Sequence, residues 1–125
     1  VNRVLVVDDS AFMARSVAIV LKDMDFEVVA LAHDGFQGVE KYEELRPDVV
    51  LLDVTMPNMD GVECLVKLRE IDNDARVVML SAVHDEETVN KCLEYGAIAF
   101  LQKPIRRGNA EDLERLRSTL ETAAH

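Results

Sequence analysis

Three carboxylates, one hydroxyl and one ammonium in this chain share a context: each stands at or just past the end of a short apolar run. Asp8 and Asp9 follow residues 4–7, Asp53 follows Val-Val-Leu-Leu at 49–52, Ser81 follows residues 77–80, and Lys103 comes two positions after residues 98–101. Apolar runs of this length, bounded by turn residues, read as strands buried on both faces of a parallel sheet. Ligands of open α/β sheets bind outside the carboxyl ends of the strands, so these five residues are predicted to gather at one edge. A lone strand-end acid is more often a helix cap or a solvated loop residue. Five such groups at four matching strand ends outweigh that reading.

The chemistry follows from charge. With strand order 2-1-3-4-5, strands 1 and 3 flank the topological switch point and Asp8, Asp9 and Asp53 share one crevice. Two carboxylates ~4 Å apart repel by about 4 kcal/mol at an effective dielectric of ~20, so the site must protonate a member or recruit a cation. An all-oxygen set completed by waters suits Mg²⁺. Lys103 adds a fixed positive charge and Ser81 a hydroxyl donor, and metal, cation and donor together stabilise a phosphoryl group in transfer. A carboxylate can then act as the nucleophile and form an aspartyl phosphate. The pattern alone does not show which acid does so. Asp53 is favoured, because adjacent Asp8 and Asp9 can share the metal while Asp53 faces Ser81 and Lys103.

The elements that must position these groups alternate along the chain. Residues 4–7 form the first strand, Ser10 caps a helix, and Phe12, Met13, Val17, Val20, Leu21 and Met24 recur at helical spacing as its apolar side. A second strand at Glu27–Ala32 is followed by a His33-Asp34-Gly35 turn and a helix carrying Phe36, Val39, Tyr42 and Leu45, which Pro47 ends. The third strand, Val49–Asp53, runs into a loop reaching Gly61, then a helix with Val62, Leu65, Leu68 and Ile71 as its buried stripe. After the strand at 77–80, acids at 85–87 suit the first turn of a helix whose inner face holds Val89, Cys92 and Leu93, and Gly96 stops it. The fifth strand is expected at 98–101. Asn109, with Asp112 three residues on, caps a last helix whose apolar face is Leu113, Leu116 and Leu120. Short connections between buried strands require right-handed βαβ crossovers, hence a three-layer, doubly wound α/β sandwich with five parallel strands and five helices.

Composition narrows the function. A chain of 125 residues that is 49% hydrophobic and 30% charged is expected to be one globular domain, 1–125, rather than disordered. A net charge of -10 argues against binding nucleic acid through phosphates. No apolar run approaches a membrane span, so membrane insertion is not expected. Cys64 and Cys92 fall inside apolar helical patterns without metal or redox spacing and read as small core residues in a reducing, cytoplasmic compartment. His33, His84 and His125 do not cluster with the acids and are read as solvent-facing.

Taken in order, Val6-Val7-Asp8-Asp9-Ser10, Leu52-Asp53-Val54-Thr55-Met56-Pro57, Met59-Asp60-Gly61, Ser81-Ala82 and Lys103-Pro104 resemble the receiver domain of two-component response regulators, closest to the stand-alone chemotaxis receivers. The likeness runs from Arg3 to about Ile105, and more loosely over the last helix. It implies a flavodoxin-like fold and a phosphorylation-activated switch rather than a metabolic enzyme. By this resemblance Asp53 accepts a phosphoryl group from a sensor histidine kinase, Asp9 and Asp53 hold Mg²⁺ with the backbone carbonyl of Thr55, and Asp8 acts through a metal-bound water. Lys103 contacts the phosphoryl oxygens, Ser81 moves to hydrogen-bond one of them, and Phe100 is the switch aromatic that turns inward. The face of the fourth helix, fifth strand and fifth helix then changes for a downstream target, a flagellar motor component or another effector. The resemblance also implies a cis Lys103–Pro104 peptide.

The chain departs from the family pattern in three places. Ser81 stands where many members have Thr, Phe100 where chemotaxis receivers often have Tyr, and Arg106-Arg107-Gly108 makes the approach to the last helix basic and longer. A rival reading, a phosphatase with an aspartyl-phosphate intermediate, needs a second acid two residues after the nucleophile, and that position is Thr55. A receiver cut from a larger transcriptional or enzymatic regulator is the alternative to a stand-alone chain.

Overall fold

The computed structural model describes residues 2–82 and 85–124, which places His84 and His125 outside the described residues. Strands and helices alternate: β1 (Arg3–Val7), α1 (Ala11–Asp23), β2 (Glu27–Ala32), α2 (Gly35–Leu45), β3 (Val49–Asp53), α3 (Gly61–Ile71), β4 (Val77–Ser81), α4 (Glu86–Glu94), β5 (Ala99–Gln102) and α5 (Ala110–Ala123). All strand pairs are parallel, in the order β2-β1-β3-β4-β5. The expected doubly wound sheet is therefore present. β4 runs one residue further than expected, and β5 is shifted by one, because Ser81 pairs with Gln102 in the parallel ladder.

Two apolar layers sandwich the sheet, and strand alternation assigns residues to them. Leu5, Val7, Val50, Leu52, Val77 and Met79 point to the side covered by Tyr42 of α2, Cys64, Leu65 and Leu68 of α3 and Cys92 of α4. Val4, Val6, Val49, Leu51, Val78 and Leu80 point to the side covered by Ala14, Val17, Val20 and Leu21 of α1 and Leu116 and Leu120 of α5. Every residue of β3 and β4 is buried, as central strands covered on both faces require. Both cysteines are free and buried in the core, as expected.

Each of the five helices starts with a side chain that satisfies its first N–H groups. Ser10 accepts from Met13 N–H, Asp34 from Gln37, Asp60 from Glu63, Asp85 from Glu87 and Asn109 from Asp112. Gly96, at φ 103°, turns the chain after α4 into β5. Three aromatic or aliphatic residues expected on inner faces lie outside instead: Phe12, Phe36 and Leu93. Phe12 stands two residues before buried Ala14, about 200° around the helix, so it faces away from the stripe of Ala14, Val17, Ala18 and Leu21. Phe36 follows buried Gly35 by one position, and Leu93 follows buried Cys92 by one; each is rotated by about 100° from the residue that packs.

Candidate functional site

The register of the central strands brings the carboxylates together. Val7 pairs with Leu52, so Asp8 and Asp53, one residue on, leave the sheet side by side. Asp8 is held by its backbone N–H, which donates to Ala32 O at 2.9 Å, and by its side chain, where Oδ1 accepts from Ser10 N–H at 3.0 Å. Asp53 Oδ1 accepts from Thr55 N–H at 3.4 Å in the loop that follows. That loop is drawn against the strand end by Gly61 N–H, which donates to Val54 O at 2.7 Å. A side chain at residue 61 would collide with the Asp53 carbonyl and lie 2.6 Å from Val54 Cα, so the close approach requires glycine there.

Lys103 closes the site from the other direction. A cis Lys103–Pro104 peptide follows β5, and Lys103 N–H donates to Ser81 O at 2.8 Å. Its ammonium Nζ lies 2.8 Å from Asp8 Oδ2 and 3.4 Å from Asp53 Oδ2. Both acids are almost completely enclosed, at 3% and 6% exposure. Burial pushes the Asp53 carboxyl up to about 6; Lys103 pulls it down, and the Asp8 charge adds to the rise. For Lys103, burial disfavours the ammonium, yet the hydrogen bond to Asp8 and the charges of Asp53 and Asp8 outweigh it and raise its pKa. The cation that the charge balance required is thus supplied in part by the chain itself. Lys103 sits nearer to Asp8 than to Asp53, whereas the sequence placed it facing Asp53.

Asp8, Asp9 and Asp53 each offer a carboxylate oxygen, all within 4.8 Å of one another. Asp9 is exposed and opens the cluster to solvent. A hard, all-oxygen donor set on one open side fits a small divalent cation that keeps several of its waters, as Mg²⁺ does.

The remaining predicted residues fall around this crevice. Ser81 is buried at the end of β4, on the same face of the sheet as Met79. Phe100 pairs with Met79 in the β4–β5 ladder, which puts it on that same face, one diagonal step from Ser81; it is half-buried against the core. Thr55 is exposed in the loop beside Asp53. His33 departs from expectation: it is half-buried rather than solvent-facing, with Nδ1 3.2 Å from the backbone carbonyl of Asp8. The β1–β2 pairing explains this, since Val7 is matched with Ala32 and the next residues of both strands emerge together.

Sequence reasoning also missed the role of Asp112. It is buried in the first turn of α5, where it accepts from Arg106 Nε at 2.7 Å and Arg115 Nη2 at 2.8 Å. The only sequence signal was its position three residues after a capping Asn109, which does not disclose partners on either side.

A profile described as the response regulator receiver domain matches residues 4–115. The chain is 41% identical to the chemotaxis protein CheY of Listeria monocytogenes over 98% of both chains. It is 45% identical to the chemotaxis protein CheY of Treponema pallidum over 94% of this chain and 82% of the relative. Among solved structures, it superposes on a CheX–CheY–BeF3–Mg²⁺ complex from Borrelia burgdorferi with a TM-score of 0.86 and 40% identity, covering 94% of this chain and 87% of that one.

Proposed function

This chain belongs to the response regulator receiver domain family, and on that premise we propose that it is a signalling switch in which Asp53 accepts a phosphoryl group from a sensor histidine kinase. It is a regulatory protein, a phosphorylation-activated response regulator whose relatives act in chemotaxis. The observation that carries the Asp53 assignment is the enclosure of Asp8 and Asp53 around the Lys103 ammonium, with Asp9 beside them.

A carboxylate oxygen of Asp53 attacks the phosphorus of the donor; the donor's phosphorus–nitrogen bond breaks and its electron pair leaves on the histidine nitrogen. Asp8, Asp9 and Asp53, with the backbone carbonyl of Thr55, would hold Mg²⁺, which when bound supplies charge stabilisation to the phosphoryl oxygens. The Borrelia burgdorferi relative is a complex that contains BeF3 and Mg²⁺, which supports that metal. Lys103 offers its ammonium to the same oxygens from a position already fixed by Asp8. Ser81 donates its hydroxyl to one of them. Phe100, diagonal to Ser81 on the open edge strand, turns inward as that hydroxyl moves.

The modified Asp53 carries about two negative charges in place of one, which biases a two-state surface. The surface is the α4-β5-α5 face, and its target is a downstream protein, in chemotaxis a flagellar motor component. The protein catalyses its own phosphorylation and slow dephosphorylation and no other turnover. Thr55 at the position where a phosphatase of this type needs its second acid supports that reading. One sheet contains all five strands, which supports residues 1–125 as a single receiver domain. Two free, buried cysteines and the absence, among the described residues, of a helix long and apolar enough to cross a membrane fit a cytoplasmic site of action.

Intact mass after incubation with Mg²⁺ and acetyl phosphate tests the assignment. The wild type gains one phosphate adduct and Asp53→Asn gains none; an adduct that persists in the variant refutes Asp53 as the acceptor.

A further inference from the structure

Resting on the output face assigned above, we propose that a groove at the carboxyl end of β5 receives an acidic segment of the downstream protein, gripped by the guanidinium groups of Arg106 and Arg115. The groove has a volume of about 300 Å³ and is lined by Gln102, Lys103, Pro104, Arg106, Asp112 and Arg115.

Charge distribution selects the occupant. Residues 103–117 hold five of the fourteen Lys and Arg residues against three acids, in a chain whose net charge is -10. At the groove itself Arg106 and Arg115 stand against one acid, Asp112, while Lys103 is set against Asp8 and Asp53, so the two exposed guanidinium groups keep one net positive charge to which a carboxylate-rich segment is attracted.

The groove is also built in advance. Asp112 is 2% exposed, and its two oxygens accept from Arg106 N–H at 3.0 Å, Arg106 Nε at 2.7 Å, Arg106 Nη2 at 3.2 Å and Arg115 Nη2 at 2.8 Å. One carboxylate thus fixes two guanidinium planes and balances one of their two charges. A guanidinium has five N–H donors, so each fork keeps donors beyond those spent on Asp112. The Arg106 and Arg115 side chains are 62% and 52% exposed. An incoming carboxylate meets two forks whose rotamers are already ordered, which removes much of the entropy cost that exposed arginines otherwise carry into an interface.

Lys103 connects the groove to the phosphoacceptor. It lines the groove while its ammonium holds Asp8 at 2.8 Å and Asp53 at 3.4 Å. Adding charge at Asp53 redraws the pull on this one side chain, and the groove changes with it.

The test is fluorescence anisotropy with a fluorescein-labelled peptide of alternating Glu and Ala, its Gln counterpart serving as the control. Wild-type protein binds the Glu peptide, binds the Gln peptide roughly tenfold more weakly, and changes its affinity for the Glu peptide at least about twofold with Mg²⁺ and acetyl phosphate. Arg106→Gln and Arg115→Gln each lose roughly tenfold in affinity, whereas Arg46→Gln, the same charge change at the opposite end of the sheet, loses none. Arg106→Lys keeps the charge and binds more tightly than Arg106→Gln, which separates lost contact from lost fold. Equal binding of both peptides, an equal loss in Arg46→Gln, or a dimer in sedimentation that the peptide displaces would each overturn the proposal, the last by giving the groove to a second copy. An affinity unchanged by acetyl phosphate overturns the link through Lys103 when intact mass shows the adduct on the wild type. A missing adduct instead identifies failure of the phosphoacceptor reading.

Discussion

Replacing Asp53 by asparagine is expected to make the protein more stable at neutral pH, and the size of the gain can be worked from the site. Asp53 is enclosed, and its carboxyl has moved from an ordinary 3.8 up to about 6, chiefly through burial and against the pull of Lys103. A carboxyl whose folded pKa is raised binds its proton more tightly in the native state than in the unfolded chain, so ionising it works against folding. The penalty is absent below about pH 4, grows as the pH rises through the two values, and is complete above about pH 6. Converted directly, the shift amounts to about 3 kcal/mol; water reaching the open side of the crevice through Asp9 reduces this to roughly 1–2 kcal/mol. Asparagine mimics the neutral acid in shape and removes the ionised form. The assay is urea denaturation followed by circular dichroism, in chelator, from pH 4 to pH 8. The variant's midpoint should exceed that of the wild type by roughly 0.5–1 M at pH 7.5, and the two should converge at pH 4. Adding Mg²⁺ should narrow the gap at pH 7.5, because a metal that binds the native wild type stabilises it by mass action. A variant that is less stable at pH 7.5, or a gap independent of pH, would refute the reasoning.

Three further outcomes follow from the packing. Gly61→Ala places a methyl group against the Asp53 carbonyl and Val54 Cα, and should cost about 1–3 kcal/mol in chemical denaturation while slowing formation of the phosphate adduct. Asp112→Asn removes a carboxyl held well below the ordinary range, at about 2, by hydrogen bonds from Arg106. Stability from a lowered carboxyl pKa is present above about pH 4 and lost as the pH falls towards 2, so wild type and variant should differ at pH 7 and converge near pH 2 in thermal melts. Phe12→Ser should change stability by less than about 0.5 kcal/mol, whereas Leu21→Ala on the same helix should cost about 2–5 kcal/mol, since Phe12 is 71% exposed and Leu21 wholly buried.

The parts of this molecule that were legible in the linear chain are those in which neighbours along the backbone decide the outcome. Val-Val-Leu-Leu-Asp at 49–53 is a strand with an acid at its carboxyl end in any parallel sheet, and Ser10 and Asn109 stand at helix starts as their short polar side chains require. Helix faces were less legible. Phe12, Phe36 and Leu93 fit an apolar spacing loosely, and only the direction of the sheet from each helix axis decides that Ala14, Gly35 and Cys92 face inward instead.

Local pattern and strand order were enough to gather Asp8, Asp9, Asp53, Ser81 and Lys103 at one edge, because parallel strands joined by right-handed crossovers must all end on the same side. What the tertiary structure alone decided is how their charges are shared. Lys103 lies 95 positions from Asp8 along the chain, yet its ammonium is closer to Asp8 than to Asp53. His33 reaches the carbonyl of Asp8 from the neighbouring strand, and Asp112 fastens two arginines that in sequence read simply as a basic stretch. Such contacts depend on distances of a few ångströms between side chains on different elements and on the loss of water around them. Sequence periodicity carries the direction of each element, but ion pairing and burial are properties of the assembled crevice.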